Sequence, residues 1–142
     1  MNKQAVGLTT LRILLGIFFI FEAVNKLAWL GDGGILTKQL QEWLSNAVPS
    51  TRWYLETVAI PGAPVFARLV MLGELALGVG LLLGVWVRVA ALLGLLMVLN
   101  FHFASGRVFQ YAILTNGYGL PVLGGLLALA IGGSKLPWSL KG

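Results

Sequence analysis

The chain has 142 residues, 58% of them apolar and only 11% charged, whereas a soluble domain is roughly 45–50% apolar and about a quarter charged. With a mean hydropathy of +0.87, the composition points to a bilayer, and at roughly 20 residues per span the length supplies about four spans and excludes several domains. Cysteine is absent, which excludes disulfides, iron–sulfur clusters and thiol redox chemistry by the chain itself; the net charge of +5 comes from ten scattered Lys and Arg, unlike the clustered footprint of a nucleic-acid binder.

The first apolar stretch, residues 8–30, is long enough to cross with some tilt and carries Arg12, Glu22 and Lys26. Lys3 before an apolar run imitates a cleavable signal, but no small-x-small site follows, so the helix is read as retained. Gly31-Asp32-Gly33-Gly34 then breaks the pattern. Leu36, Leu40, Trp43 and Leu44 recur at helical spacing opposite Lys38, Gln39, Gln41 and Glu42, which predicts a short amphipathic helix ended by Pro49. A second half-buried piece follows over residues 53–60. This connection suits either the membrane surface or a lid packed on the spans.

As one helix, residues 65–104 would extend ~60 Å, twice the ~30 Å hydrocarbon core, so they predict two antiparallel helices. The turn belongs at residues 86–88, where Trp86 and Arg88 are interface anchors. The last span is expected over residues 116–133, with Pro121 starting or kinking it and residues 105–115 as a surface loop or partial re-entrant piece. The expected architecture is all-α and one domain over residues 1–142. It is an integral membrane four-helix bundle with spans near 8–30, 64–85, 87–104 and 116–133 and an amphipathic helical connection between spans one and two. Two small-residue stripes, Ala76/Gly80/Gly84 and Gly124/Ala128/Gly132, suit close helix packing or a homo-oligomer. If the termini share a side, that side holds Lys3, Arg12, Arg88, Lys135 and Lys141 without an acidic residue, which favours cytoplasmic termini.

Ionisable residues inside a span are costly and normally face a bundle interior with partners. Counted from Arg12, Glu22 lies ~15 Å up and Lys26 ~21 Å up; Glu74 lies ~15 Å down the second span, and Asn100 and His102 ~18 and ~21 Å up the third. Asn116 opens the fourth span in the same half, so these groups are expected to converge on one polar layer. Glu22 and Lys26 form an i,i+4 pair in the favourable order. Arg12, Gly16, Phe19, Ala23 and Lys26 share one inward face, while Glu74 has no local partner and must find one across the bundle. One reading is a network that welds the helices together. The other is a polar pocket for a small lipophilic ligand, in which Glu22 and Glu74 exchange protons and Lys26, Asn100, His102, Asn116 and Arg12 bind the ligand. His102 lacks the second histidine or partner set of a haem or metal site, so a hydrogen-bonded role is expected and no metal. No nucleophile triad or phosphate loop is present, and Gly78-Val79-Gly80 is read as packing glycines within a span.

Arg12-x3-Gly16 with Phe19, Glu22 and Lys26, then Glu74-x3-Gly78, the Leu81-Leu82-Leu83-Gly84 step, Arg88, and the Gly132-Gly133 and Ser139-Leu140 tail together resemble the DoxX family of small bacterial membrane proteins. Lys141 departs from the acidic residue that often follows the final Ser-Leu in that family. The resemblance implies an inner-membrane subunit linked to quinone-dependent oxidoreduction, of the type associated with thiosulfate:quinone oxidoreductase. A quinone is then the implied ligand and a redox subunit the implied partner. The alternative is a non-enzymatic membrane protein that assembles or stabilises a partner complex. A carrier is disfavoured, because four spans without an inverted repeat leave little room for alternating access.

Overall fold

In the computed structural model, which describes residues 1–141, the regular elements among the described residues are helices joined by short turns. Helix α1 runs Lys3–Asn25 and α2 Gly34–Ser45, with a 3₁₀ turn Leu27–Leu30 between them. Helix α3, Pro49–Tyr54, passes into a π-helical turn Leu55–Ala59. Helix α4 spans Ala63–Leu83 and α5 Val87–Ala104; after a 3₁₀ turn Arg107–Phe109 and the one-turn α6, Ala112–Thr115, helix α7 spans Leu120–Gly132.

The first span departs from the expected 8–30. Asn2 caps α1 by accepting from the Gln4 N–H at 2.7 Å, so the helix begins early. It stops at Asn25 because the chain tightens into the 3₁₀ turn that buries Trp29. Glu22 therefore stands in the last turn of α1, not at its midpoint. Pro49 opens α3 in its first turn, where its missing N–H costs nothing, and does not simply end α2. The expected fourth span is also shorter than 116–133: Pro121 lies in the first turn of α7, leaving 13 residues, ~20 Å against the ~30 Å core. Thus α1, α4 and α5 are long and apolar enough to cross a membrane and α7 falls short, so the expected four spans are replaced by three plus a shorter helix.

The helices α1, α4, α5 and α7 pack in a ring around Phe19, Leu77, Leu81, Val98, Leu126 and Leu129. Outward faces carry exposed Leu14, Phe21, Leu69, Leu72, Leu93 and Ile131, as an apolar solvent permits. A second core joins Leu36, Leu40, Leu55 and Ala59 to Ala63, Ala67 and Ala104, so the connection between α1 and α4 is a lid packed on the spans. Its apolar stripe is consumed by the N-terminal half of α4.

The closest helix approach uses glycines outside the two expected stripes. A Cβ on Gly16 would lie 2.7 Å from the Leu82 backbone nitrogen, and one on Gly78 2.7 Å from the Ile20 nitrogen. Ala76 and Gly124 instead face outward. Gly78→Val is therefore expected to lower stability in detergent by about 1–3 kcal/mol through forced separation of α1 and α4. Gly124→Ala, whose added Cβ would meet nothing within 4 Å, is expected to leave the melting temperature unchanged.

At the other end of the bundle Arg12 is fully buried. It donates to the carbonyls of Leu81 at 2.8 Å and Leu82 at 3.2 Å and to those of Pro137 at 3.3 Å and Trp138 at 3.1 Å. A cation thus satisfies the last carbonyls of α4, where the helix dipole favours it. The same guanidinium holds the tail, which pairs with the α4–α5 turn through Leu140 N–H to Leu83 O and Trp86 N–H to Lys141 O. Gly84 turns the chain there at φ +69°, where a Cβ would strike both Arg12 and Ser139. The start of α1 and the tail therefore lie at one end of the bundle.

Candidate functional site

Glu22, in the last turn of α1, projects Oε2 to within 3.0 Å of Lys26 Nζ, the pairing that i,i+4 spacing allows. Lys26 is the C-cap residue of α1, and its stem reaches across to α4. There the ammonium lies 2.9 Å from Glu74 Oε2 and donates to Oε1 at 3.2 Å; Oε2 receives its charge but no aligned N–H. Glu74 is 0% exposed and Glu22 retains 28% of its side-chain surface, so one carboxylate is sealed behind the lysine and the other stands in front of it. The Lys26 ammonium also lies 5.8 Å from the centre of the Trp29 ring, a favourable cation–π placement.

Two further groups complete the cluster. Tyr118, just before α7, donates its hydroxyl to Glu74 Oε1 at 3.2 Å. His102, in the last turn of α5 and buried, places Nε2 2.9 Å from the Tyr118 carbonyl. A carbonyl only accepts, so the proton sits on Nε2 and, in the uncharged ring, Nδ1 is left as an acceptor. Glu22, Lys26, His102 and Tyr118 border a cavity of about 290 Å³ whose apolar walls are Trp29, Trp43 and Phe101 and whose polar rim includes Gln39, Ser105 and Arg107.

Of the expected site residues, Glu22, Lys26, Glu74 and His102 come together, Glu74 behind Lys26 and the rest on the cavity wall; Asn100, Asn116 and Arg12 do not line the cavity. Asn100 is two residues from His102, so ~200° around the helix. Its Oδ1 accepts from Tyr54 Oη at 2.6 Å, and it borders a separate pocket of about 100 Å³ under the lid. Asn116 lies in the turn before α7, and its Oδ1 accepts the Tyr118 N–H at 2.7 Å; it positions Tyr118. Arg12 is ten residues from Glu22 along α1, ~15 Å away, and is committed to the tail. Sequence reasoning missed Tyr118. Its signal is a buriable phenol in Asn116-Gly117-Tyr118-Gly119, a turn composition ahead of Pro121.

The arrangement holds two carboxylates on one ammonium, with one side open to a cavity of aromatic walls. It can donate a hydrogen bond from Lys26, accept one at His102 Nδ1 and pass a proton between Glu22 and Glu74 through Lys26. The DoxX family model matches residues 7–105, from α1 through α5, and so includes Glu22, Lys26, Glu74 and His102 but not Tyr118 or the tail. No curated protein and no solved structure matches the chain.

Proposed function

The chain belongs to the DoxX family, and from that premise we propose that this multi-pass membrane protein is a subunit of a quinone-linked oxidoreductase system whose cavity binds a small lipophilic ligand of the quinone type. The observation that carries the reading is the Glu22–Lys26–Glu74 bridge at the edge of an aromatic-walled cavity. The dimensions agree: a cavity of ~150 Å³ accepts a benzene ring, and about 290 Å³ leaves room for a substituted one. Trp29, Trp43 and Phe101 supply faces for ring packing.

A quinone accepts two electrons and two protons. Lys26 donates a hydrogen bond to one carbonyl, and Glu22, 3.0 Å from the ammonium on the cavity side, is the proton-exchanging group. Glu74 shares the same ammonium and holds the second proton-exchanging position, steadied by Tyr118. His102 Nδ1 accepts from the hydroxyl of a quinol. The chain has no cysteine, and a partner redox subunit supplies the electrons. We place the protein in a bacterial inner membrane with both termini cytoplasmic; the support is the common end of the termini and the basic, acid-free residues Lys3, Arg88, Lys135 and Lys141 there.

Lipid extraction of gently purified protein tests the ligand. The expected result is co-purifying quinone in the wild type and less than a tenth of it in Glu22→Gln. Absence of quinone from the wild type, with membrane redox activity unchanged in Glu22→Gln, overturns the proposal. Glu74 is held on two sides by protein groups, which suits a structural weld, so recovery of a stoichiometric partner without quinone favours the assembly reading.

A further inference from the structure

On the outside of the bundle a groove of about 340 Å³ runs between α4 and α5, from Trp86, at the end remote from the cavity just described, up to Gly73 and Met97. Small side chains make it: Gly73, Ala76 and Gly80 on α4 face Ala90 on α5, with Leu93 and Met97 at the upper end. A Cβ on Gly80 would meet the Val85 carbonyl at 3.6 Å and Ala90 Cβ at 3.9 Å, ordinary contact distances, so a side chain is accommodated there without a clash. Along α5 the groove extends from Trp86 to Met97, ~16 Å at the helical rise. One leaflet of a ~30 Å hydrocarbon core is ~15 Å deep.

The mouth has an unusual construction. Trp86 adopts φ 45° and ψ 48°, a left-handed backbone that costs a bulky residue roughly 1–3 kcal/mol and persists only where the surroundings impose it. The tail imposes it, since the Trp86 N–H donates to the Lys141 carbonyl at 2.9 Å. The indole is left 57% exposed on the groove wall. The Lys141 ammonium lies 5.2 Å from its ring centre, and exposed Arg88 follows two residues later. No acidic residue occurs in the α4–α5 turn or the tail.

We propose that this groove is a binding site for an anionic phospholipid, with one acyl chain along α4 and α5 and the phosphate beside Lys141 and Trp86. The length favours an acyl chain over the helix of a second copy, which would need a complementary surface through both leaflets. The charge favours an anionic headgroup over a zwitterionic one. Lys141 at this position thus has a use that an acidic residue would lack.

Native mass spectrometry of the full chain in detergent, titrated with phosphatidylglycerol or phosphatidylcholine, tests the site. The wild type is expected to retain phosphatidylglycerol preferentially, and Lys141→Gln to cut that preference about fivefold, the worth of one cation near an anionic headgroup. The double variant Ala76→Leu/Gly80→Leu, which fills the groove from its open side, is expected to lose retention of both lipids. Photo-crosslinking of the wild type with a diazirine-bearing phosphatidylglycerol, which needs no variant to fold, is expected to label residues 73–97. Equal retention of both lipids, labelling elsewhere, or a filled variant that keeps its lipid but changes from dimer to monomer each overturns the proposal. None of these readouts depends on the quinone proposal.

Discussion

Lys26→Met is expected to destabilise the protein by about 3–5 kcal/mol, the usual consequence of leaving one partner of a buried ion pair without the other. Glu74 is 0% exposed, and the ammonium at 2.9 Å supplies the positive charge beside it. Methionine fills the volume of the lysine stem but provides no charge. The double variant Lys26→Met/Glu74→Gln is expected to recover most of the loss, because an amide can still accept from Tyr118 and carries no charge to be solvated. Thermal unfolding in detergent measures both. If the double variant is no more stable than the single one, the electrostatic account fails. The double variant also separates folding from ligand chemistry: it is expected to melt near the wild type yet retain no quinone.

Arg12→Ala is expected to have a comparable effect by a different route. The guanidinium serves four carbonyls, two ending α4 and two in the tail, and buried acceptors stripped of partners cost about 1–3 kcal/mol each. Some are rehydrated as the tail leaves, so a net loss on the order of 3–5 kcal/mol is expected. Limited trypsinolysis at Lys135 should accelerate at least tenfold as the tail detaches, a ratio of ~1.4 kcal/mol in local opening. Arg12→Lys is expected to recover less than half of the loss, because a single ammonium cannot span two pairs of carbonyls as the planar fork does. Unchanged proteolysis in Arg12→Ala would show that the tail is held by something else.

Much of the fold was legible in the residues themselves. Long apolar runs interrupted by Trp86 and Arg88 placed α4, the turn and α5 almost to the residue, because chain length and bilayer thickness leave few alternatives. The amphipathic α2 was likewise readable from Leu36 and Leu40. What its apolar stripe covers was not, since the same stripe suits a lipid surface or a protein core. Boundaries of α1 and α7 went wrong where local chemistry overrode hydropathy: the Asn2 cap, the 3₁₀ turn and Pro121.

The site was legible in part for an equally concrete reason. Glu22 and Lys26 pair through helical spacing, which sequence carries directly. His102 and Asn100 have the same depth but opposite faces, and depth alone put them together. Tyr118 was hidden because its contact with Glu74 is 44 residues away along the chain and depends on how a turn sets its phenol.

By itself, the sequence determined a multi-pass, all-helical membrane protein with a few charges that the apolar mass must enclose. Composition, periodicity and the cost of burying charge act locally and leave little choice. Only the tertiary structure decided which charges meet: Lys26 joins two helices through one ammonium, Arg12 is diverted to the tail, and Asn100 turns to the lid. Those assignments rest on helix rotation and close approach at Gly16 and Gly78, quantities set by packing between segments distant along the chain.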